Sequence, residues 1–123
     1  MEYYEGGCHC GTVRYAIESE LKTATECNCS ICTKKGMINH RVAPERLNVL
    51  QGREALALYQ FGTHTAKHWY CRQCGIHVFS NPSRAPDQYA VNLRTLDDFR
   101  RLLPGIEIRQ FDGQHWEEAV LRG

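Results

Sequence analysis

Hydrophobic and polar positions alternate along several short stretches of this 123-residue chain. In the clearest stretch, Val13, Tyr15 and Ile17 share one face of an extended chain, while Thr12 and Arg14 fall on the other. A period of two is typical of a strand with one buried side. Similar short patterns predict further strands at 56–61, 69–70, 77–79, 89–93 and 106–109.

Helical periodicity is confined to three short pieces, at 30–35, 44–47 and 96–103. The segment 81–87 contains two prolines and predicts a surface loop. A chain of this length has room for one core of modest size, which a bound metal would help to stabilise. We therefore predict a single domain over residues 1–123, with a mainly β architecture of small antiparallel sheets.

The seven cysteines of the chain fall into three tight groups. These groups are Cys8 with Cys10, then Cys27 with Cys29 and Cys32, and finally Cys71 with Cys74. Structural zinc takes four protein ligands, whereas catalytic zinc keeps three and leaves the fourth position for water or substrate. Two pairs make one closed site and the remaining three cysteines make one open site, so the count predicts two zinc ions per chain.

Other uses of the cysteines fit the sequence less well. A disulfide framework needs an even count in a secreted chain, but the count is odd and Met1–Glu5 is too polar and short for an export signal. We therefore expect reduced thiols and a cytoplasmic location. A thioredoxin-like pair at Cys71 and Cys74 would need a following helix, and none is predicted after Gly75. The spacings also match neither common ferredoxin pattern.

The two cysteine pairs lie far apart in sequence, each in a turn flanked by glycine. A zinc shared by Cys8, Cys10, Cys71 and Cys74 would join the N-terminal strand to a hairpin around the second pair, which is what a structural metal contributes. Gly75 at the tip of this hairpin is expected to adopt a positive φ.

The other three cysteines, Cys27, Cys29 and Cys32, span one local turn and can reach a single ion together. A helix beginning near Ser30 would direct its first amides at their thiolates. A small thiol is a natural fourth ligand for such a site, and coordination would deprotonate it at neutral pH. Because three anionic sulfurs weaken zinc as a Lewis acid, we favour a thiolate carrier, and water activation stays open.

The charge pattern argues against two classes of partner. The chain has 15 Lys and Arg against 14 Asp and Glu, with no basic run that could follow a phosphate backbone. No apolar run approaches the ~20 residues that span a bilayer. We therefore expect neither nucleic acid nor a membrane as a partner.

The cysteine motifs and two later features form an ordered set along most of the chain. They are Gly6–Tyr15, Cys27–Gly36, Cys71–His77, Val91–Asp97 and Trp116. This set resembles the glutathione-dependent formaldehyde-activating enzyme family, which includes the centromere protein V relatives. The resemblance implies a β-tent fold and a carbon–sulfur lyase-type enzyme that joins glutathione and formaldehyde into S-hydroxymethylglutathione. It also implies a structural zinc on Cys8, Cys10, Cys71 and Cys74, and a catalytic zinc on Cys27, Cys29 and Cys32.

Polar side chains near these motifs have two possible roles each. His40 follows the three-cysteine turn and is the predicted fourth ligand or proton carrier. Lys34, Lys35 and Arg94 form either a solvated face or the partners of substrate carboxylates. The remaining candidates are interpreted as structural, namely His9, His68 and His77 as turn or strand residues and Trp69, Tyr70, Phe79 and Trp116 as core and rim aromatics.

Two other classes of zinc protein compete with the enzyme family that the sequence resembles. A zinc deaminase pairs its cysteines with a His-x-Glu or Cys-x-Glu motif, and the sequence around the first five cysteines lacks that Glu. A non-enzymatic interaction module with both metals structural stays open. The fourth ligand of the three-cysteine site separates the two hypotheses, because a protein group in that position would close it.

Overall fold

A computed structural model describes residues 1–116 as two β-sheets with short helices between the strands. The strands are β1 (Glu2–Gly7), β2 (Arg14–Ser19), β3 (Thr23–Cys27), β4 (Asn39–Val42), β5 (Leu47–Gln51), β6 (Leu56–Tyr59), β7 (Lys67–Cys71), β8 (His77–Asn81), β9 (Tyr89–Asn92) and β10 (Glu107–Phe111). The α-helices are α1 (Ser30–Lys35) and α2 (Phe99–Leu102), and short 3-10 helices cover Pro44–Arg46, Arg53–Ala55, Leu93–Thr95 and Leu103–Gly105.

The smaller sheet has the order β1-β2-β5 and the larger one β10-β3-β4-β9-β8-β7-β6. Both sheets are antiparallel except at one edge, where β10 runs parallel to β3 and aligns Phe111 with Cys27. The mainly β prediction is confirmed. The parallel edge strand was not predicted, and it places the end of β10 beside the three-cysteine turn.

The core lies between the two sheets and is centred on the strand that alternates most clearly in sequence. Val13, Tyr15 and Ile17 are fully buried, as predicted. The Tyr15 ring lies edge-on to Phe79 of the larger sheet, with ring centroids 6.3 Å apart, and its hydroxyl lies 2.6 Å from Thr95 Oγ1. Burying each such side chain contributes roughly 1.5–3 kcal/mol, so this contact is a main tie between the sheets.

The predicted elements are confirmed with shifted bounds. Helix α1 covers the predicted residues, whereas α2 covers only the middle of the predicted 96–103 helix. Phe61 and Leu93 lie just beyond the strands predicted to include them. The strands β1, β3, β4 and β5 were not predicted, because none shows a clear apolar alternation. Among residues 1–116, no helix is long and apolar enough to cross a membrane.

Candidate metal centres and the cavity above them

Four cysteines meet where the two sheets join. Cys8 and Cys10 lie in the turn between β1 and β2, Cys71 ends β7, and Cys74 lies in the turn before β8. Their four Sγ atoms lie within 4.8 Å of one another. Gly75 has a φ of +78°, as predicted, which lets the chain turn back at the tip of the β7–β8 hairpin. The fold therefore brings the two distant cysteine pairs together, as predicted.

The donor set of this four-cysteine group suits a metal ion. The Sγ–Sγ separations are 3.6 Å for Cys8 to Cys10 and 3.7 Å for Cys10 to Cys71. Zinc bound at about 2.3 Å by four sulfurs has tetrahedron edges of about 3.8 Å. Burial raises the pKa of Cys71 to about 11, so a thiolate there needs a nearby cation. The backbone N–H of Val13 donates to Cys8 Sγ at 3.3 Å, which holds one ligand in place.

The other three cysteines come from one continuous segment. Cys27 ends β3, Cys29 caps the start of α1, and Cys32 lies in the first turn of that helix. Their Sγ atoms lie within 4.8 Å of one another, and each residue is partly exposed. The turn is short enough that the local sequence alone brings the three thiols together.

The three thiols cannot all ionise without a cation. Hydrogen bonds from the Cys27 and Cys32 thiols lower the pKa of Cys29, and the backbone amides of Cys32 and Ile31 lower it further. The same contacts with Cys27 and Cys29 raise the pKa of Cys32 far above its ordinary range. A divalent cation would remove this mutual opposition, so the donor chemistry of this group also fits a metal.

No protein ligand closes the three-cysteine group within the described residues 1–116, where no fourth His, Cys, Asp or Glu joins it. Asn39 on β4 contacts the three-cysteine group, since its Nδ2 donates to Cys32 Sγ at 3.7 Å. Its side chain is an uncharged amide. The Asn39 Oδ1 atom is buried and has no hydrogen-bond partner. Among the described residues, the group therefore has a side that no protein ligand closes.

The prediction of His40 as fourth ligand or proton carrier is wrong. Its Nε2 lies 2.6 Å from Ser19 Oγ and its Nδ1 lies 2.8 Å from the carbonyl oxygen of Thr23, so both ring nitrogens have partners. Its strand neighbours Asn39 and Arg41 line the cavity described next. Because side chains alternate along a strand, His40 falls on the opposite face.

A cavity of about 450 Å³ opens over the three-cysteine group, with all three cysteines in its wall. Its other walls are largely apolar or aromatic, and Phe61, Phe111 and Trp116 contribute to them. Trp116 was predicted as a core or rim aromatic and lies on this rim, partly buried. Pockets of this size and lining are typical of small-molecule sites.

Three arginines line the same cavity from separate segments: Arg41 on β4, Arg84 in the loop after β8 and Arg109 on β10. The Arg84 guanidinium lies 3.8 Å from the centroid of the Phe111 ring. Partial burial and the neighbouring Arg84 charge lower the pKa of Arg41. In the described part of the chain, neither Arg41 nor Arg84 forms an ion pair with a carboxylate. The cavity thus carries positive charge that no carboxylate of residues 1–116 pairs with.

The basic residues proposed from sequence as carboxylate partners do not line this cavity. Lys34 is exposed on α1. Arg94 is also exposed, and its Nε donates to the carbonyl of Gly36 at 2.9 Å. Lys35 is directed toward His68 and His77 instead. Of the two alternatives given for these residues, the exposure of Lys34 and Arg94 agrees with a solvated face. The arginines in the cavity were missed because they are distant in sequence.

A second feature missed by sequence reasoning is the segment that follows β10. Gly113 is buried, and a Cβ atom placed on it would lie 2.4 Å from Cys27 Sγ. The Asn28 side chain links this segment to the cysteine turn, since Gln114 N–H donates to Asn28 Oδ1 at 2.8 Å and Asn28 Nδ2 donates to Asp112 at 3.2 Å. The segment therefore packs directly on the three-cysteine turn.

The histidines and aromatics interpreted as structural differ in how deeply they are buried. His9 is exposed in its turn, and Phe79 is buried in the core. Trp69 and Tyr70 are partly buried, and the Trp69 Nε1 donates to Asn81 Oδ1 at 2.9 Å. His68 and His77 are buried on adjacent strands, and of the two only His68 lines the cavity.

Comparison with known proteins agrees with this arrangement. The sequence profile of the family described as glutathione-dependent formaldehyde-activating enzyme matches residues 3–112, and the chain belongs to that family. The chain is also similar to a Rhodobacter sphaeroides protein known from a crystal structure, with 38% sequence identity and a TM-score of 0.79. The match covers 87% of this chain and 99% of that protein.

Proposed function

We propose that this chain is a zinc-dependent enzyme of the carbon–sulfur lyase type that joins glutathione, or another small thiol, to formaldehyde. The product would be S-hydroxymethylglutathione. One observation carries the proposal: an open group of three thiols lies in the wall of a cavity that also carries unpaired arginines. Membership of the family supports the same reaction.

The two cysteine groups are assigned different roles in this proposal. Cys8, Cys10, Cys71 and Cys74 would hold a structural zinc, because they join two sheets and leave no open position. Cys27, Cys29 and Cys32 would hold the catalytic zinc. When bound there, zinc would supply a means of holding the incoming thiol as a thiolate at neutral pH.

The cavity residues would bind the rest of the thiol substrate. Glutathione carries two carboxylates, and Arg41 and Arg84, which pair with no carboxylate among residues 1–116, offer two guanidiniums to receive them. Phe111 and Trp116 would pack against the aliphatic parts of the peptide. Asn39 would orient Cys32 through its hydrogen bond to the sulfur.

The reaction itself forms one bond and moves one proton. The thiol sulfur bonds to the formaldehyde carbon, the π electrons of the carbonyl move to oxygen, and that oxygen takes up a proton equivalent to the one that the thiol lost. The thiol is not oxidised and no other co-reactant is needed. The largely apolar walls of the cavity would strengthen each hydrogen bond to the developing oxygen charge.

We also propose that residues 1–123 form one domain and that the protein works in a reducing compartment such as the cytoplasm. The seven cysteines are free thiols, and both groups need reduced sulfur to hold a metal.

The test is exchange spectroscopy at equilibrium, because glutathione and formaldehyde also combine without a catalyst. Zinc-loaded wild type should exchange S-hydroxymethylglutathione with its components faster than the buffer does, and Cys29→Ser should match the buffer. Calorimetry with glutathione and with 2-mercaptoethanol would measure recognition of the peptide part separately. If the wild type binds no thiol and exchanges no faster than Cys29→Ser, the proposed reaction fails and the interaction-module hypothesis is favoured.

A further inference from the structure

Behind the cavity wall, a lysine lies between two histidines. Lys35 is the last residue of α1, and its Nζ lies 2.9 Å from His68 Nδ1 and 3.4 Å from His77 Nε2. The two imidazoles are each only 8% exposed. Within residues 1–116, Lys35 forms no ion pair with a carboxylate. Burial lowers the pKa of Lys35 to about 8, which leaves it mostly charged at neutral pH.

This contact determines where the histidine protons lie. A lysine ammonium has three donors and no acceptor, so the ring nitrogens that face Lys35 must accept. The protons of the two neutral imidazoles are then on the far nitrogens, His68 Nε2 and His77 Nδ1. Both far nitrogens are buried and have no hydrogen-bond partner in the described part of the chain. Burial and the Lys35 charge lower the pKa of His68 to about 4, which agrees with a neutral ring.

An unpaired buried N–H is unusual, because leaving one unsatisfied costs about 1–3 kcal/mol. His68 lines the cavity above the cysteines, whereas His77 does not. Of the two unpaired N–H groups, only that of His68 therefore belongs to a residue of the cavity wall. The His68 ring also stacks on Phe61 of the same wall, with centroids 5.7 Å apart and planes 23° apart, which fixes its orientation.

We propose that His68 donates its Nε2 proton to the oxygen of formaldehyde as the carbon–sulfur bond forms, and that Lys35 is the positioning residue that fixes this tautomer. The inference rests on the proposed function. As the oxygen takes the Nε2 proton, Lys35 passes a proton to Nδ1, so His68 stays neutral with its tautomer exchanged. The proton that the thiol loses then returns to His68 Nε2 from the cavity, and Nδ1 gives its proton back to Lys35. Both groups are thereby restored, and atoms and electrons balance without an added acid or base.

The first test reads the tautomer and does not depend on activity. Long-range proton–nitrogen NMR spectra of the zinc-loaded protein without substrate should show His68 protonated at Nε2 and unprotonated at Nδ1. Lys35→Met should shift His68 toward the other tautomer, and Lys35→Arg, which keeps a donor, should restore the wild-type pattern. A wild-type His68 that carries its proton on Nδ1 would overturn the proposal.

The second test separates catalysis from binding. His68→Phe keeps an aromatic ring beside Phe61 but has no donor, so exchange of S-hydroxymethylglutathione should slow at least 100-fold while the thiol affinity stays within twofold. His68→Gln, which keeps an N–H donor, should be less impaired. His77→Gln is the matched control, because it leaves the contact of Lys35 with His68 in place, and should keep at least half of the wild-type rate.

The outcomes distinguish this inference from the proposed function. If the wild type catalyses exchange and His68→Phe stays within threefold of it, His68 is not the donor although the reaction stands. If His68→Phe loses thiol affinity by the same factor as rate, its role is structural. If the wild type catalyses no exchange, the proposed function fails and the role of His68 fails with it. Should His68→Phe not fold, the rate of Lys35→Met decides, and an unchanged rate would overturn the proposal.

Discussion

The two cysteine groups use the same side chain but differ in what they connect. Cys8 and Cys71 are buried and belong to different sheets, so the four-cysteine group joins distant parts of the chain. Cys27, Cys29 and Cys32 are partly exposed, belong to one turn and face a cavity. If both groups hold a metal as proposed, the one with distant and complete ligands would hold the fold. The one with local and incomplete ligands would leave its metal available for chemistry.

The largest expected effect is that of Cys71→Ser. This change removes a fully buried ligand from the junction of the two sheets. Structural zinc contributes about 10–16 kcal/mol in small domains, which is comparable to the whole stability of about 5–15 kcal/mol of a protein this size. We expect aggregation or loss of cooperative unfolding, measured by circular dichroism during heating. A variant with a wild-type melting curve would show that this group does not hold the fold.

Cys29→Ser should have the opposite profile, with the fold kept and the chemistry lost. Because its three-cysteine group belongs to one turn, its loss leaves both sheets connected. Wild type purified without chelator should contain between one and two equivalents of zinc per chain by elemental analysis. The variant, which keeps only the four-cysteine group, should contain no more than one equivalent. Equal loss of fold in Cys29→Ser and Cys71→Ser would show that both groups are structural.

The same contrast explains how much could be predicted from sequence. The close approach of the thiols within each sequence motif could be predicted from cysteine spacing, because a tight turn brings neighbouring thiols together whatever the rest of the fold does. The hairpin around Cys71 and Cys74 could also be predicted, from its flanking strands and from Gly75. Alternation also located Val13, Tyr15 and Ile17 in the core.

Features that depend on the pairing of distant strands could not be predicted. Arg41, Arg84 and Arg109 meet only because β4, the loop after β8 and β10 surround one cavity. His40 was misassigned because its proximity to the cysteines in sequence does not reveal which face of β4 it occupies. The weakly alternating edge strand β1 gave no signal either, since only Gly6 of its six residues is buried.

The Gly113→Ala variant would test how closely the three-cysteine turn is packed. The new methyl group would lie 2.4 Å from Cys27 Sγ, so that sulfur must move. We expect at least a tenfold loss of metal affinity at this group and no change at the four-cysteine group, measured by competition with a chromogenic chelator. Gly105→Ala is the matched control, because its Cβ would meet no atom within 4 Å. Equal zinc retention in both variants would contradict the packing argument.

A smaller effect is expected from Arg84→Ala. If this guanidinium binds a substrate carboxylate, its loss should weaken glutathione binding about fivefold to tenfold, in line with about 1–1.5 kcal/mol for one exposed charged contact. The affinity for 2-mercaptoethanol, which has no carboxylate, should not change. Arg53→Ala is the control, because Arg53 is exposed and does not line the cavity. Calorimetry that shows equal losses for both thiols would contradict a carboxylate-binding role.

The smallest expected effect is that of His40→Gln, which tests a structural role for a histidine close to the cysteines in sequence. Its contacts with Ser19 and Thr23 join β2 to β3, so the variant should lose about 1 kcal/mol of unfolding free energy in urea. Exchange activity should not change, because both ring nitrogens are already engaged. Lost activity with unchanged stability would return His40 to the site.

The contribution of His40 to the unfolding free energy should also depend on pH. Burial lowers the pKa of His40 below its ordinary value of 6.5, so the unfolded chain binds a proton more readily than the folded one. The stabilising contribution of His40 is therefore complete above pH 6.5 and is lost as the pH falls through the folded-state pKa. Urea unfolding of the wild type and of His40→Gln across that range should show that their difference in unfolding free energy shrinks toward acid. Any effect of metal loss is common to both proteins and cancels in this difference. A difference that grows toward acid would mean that His40 is charged in the folded protein.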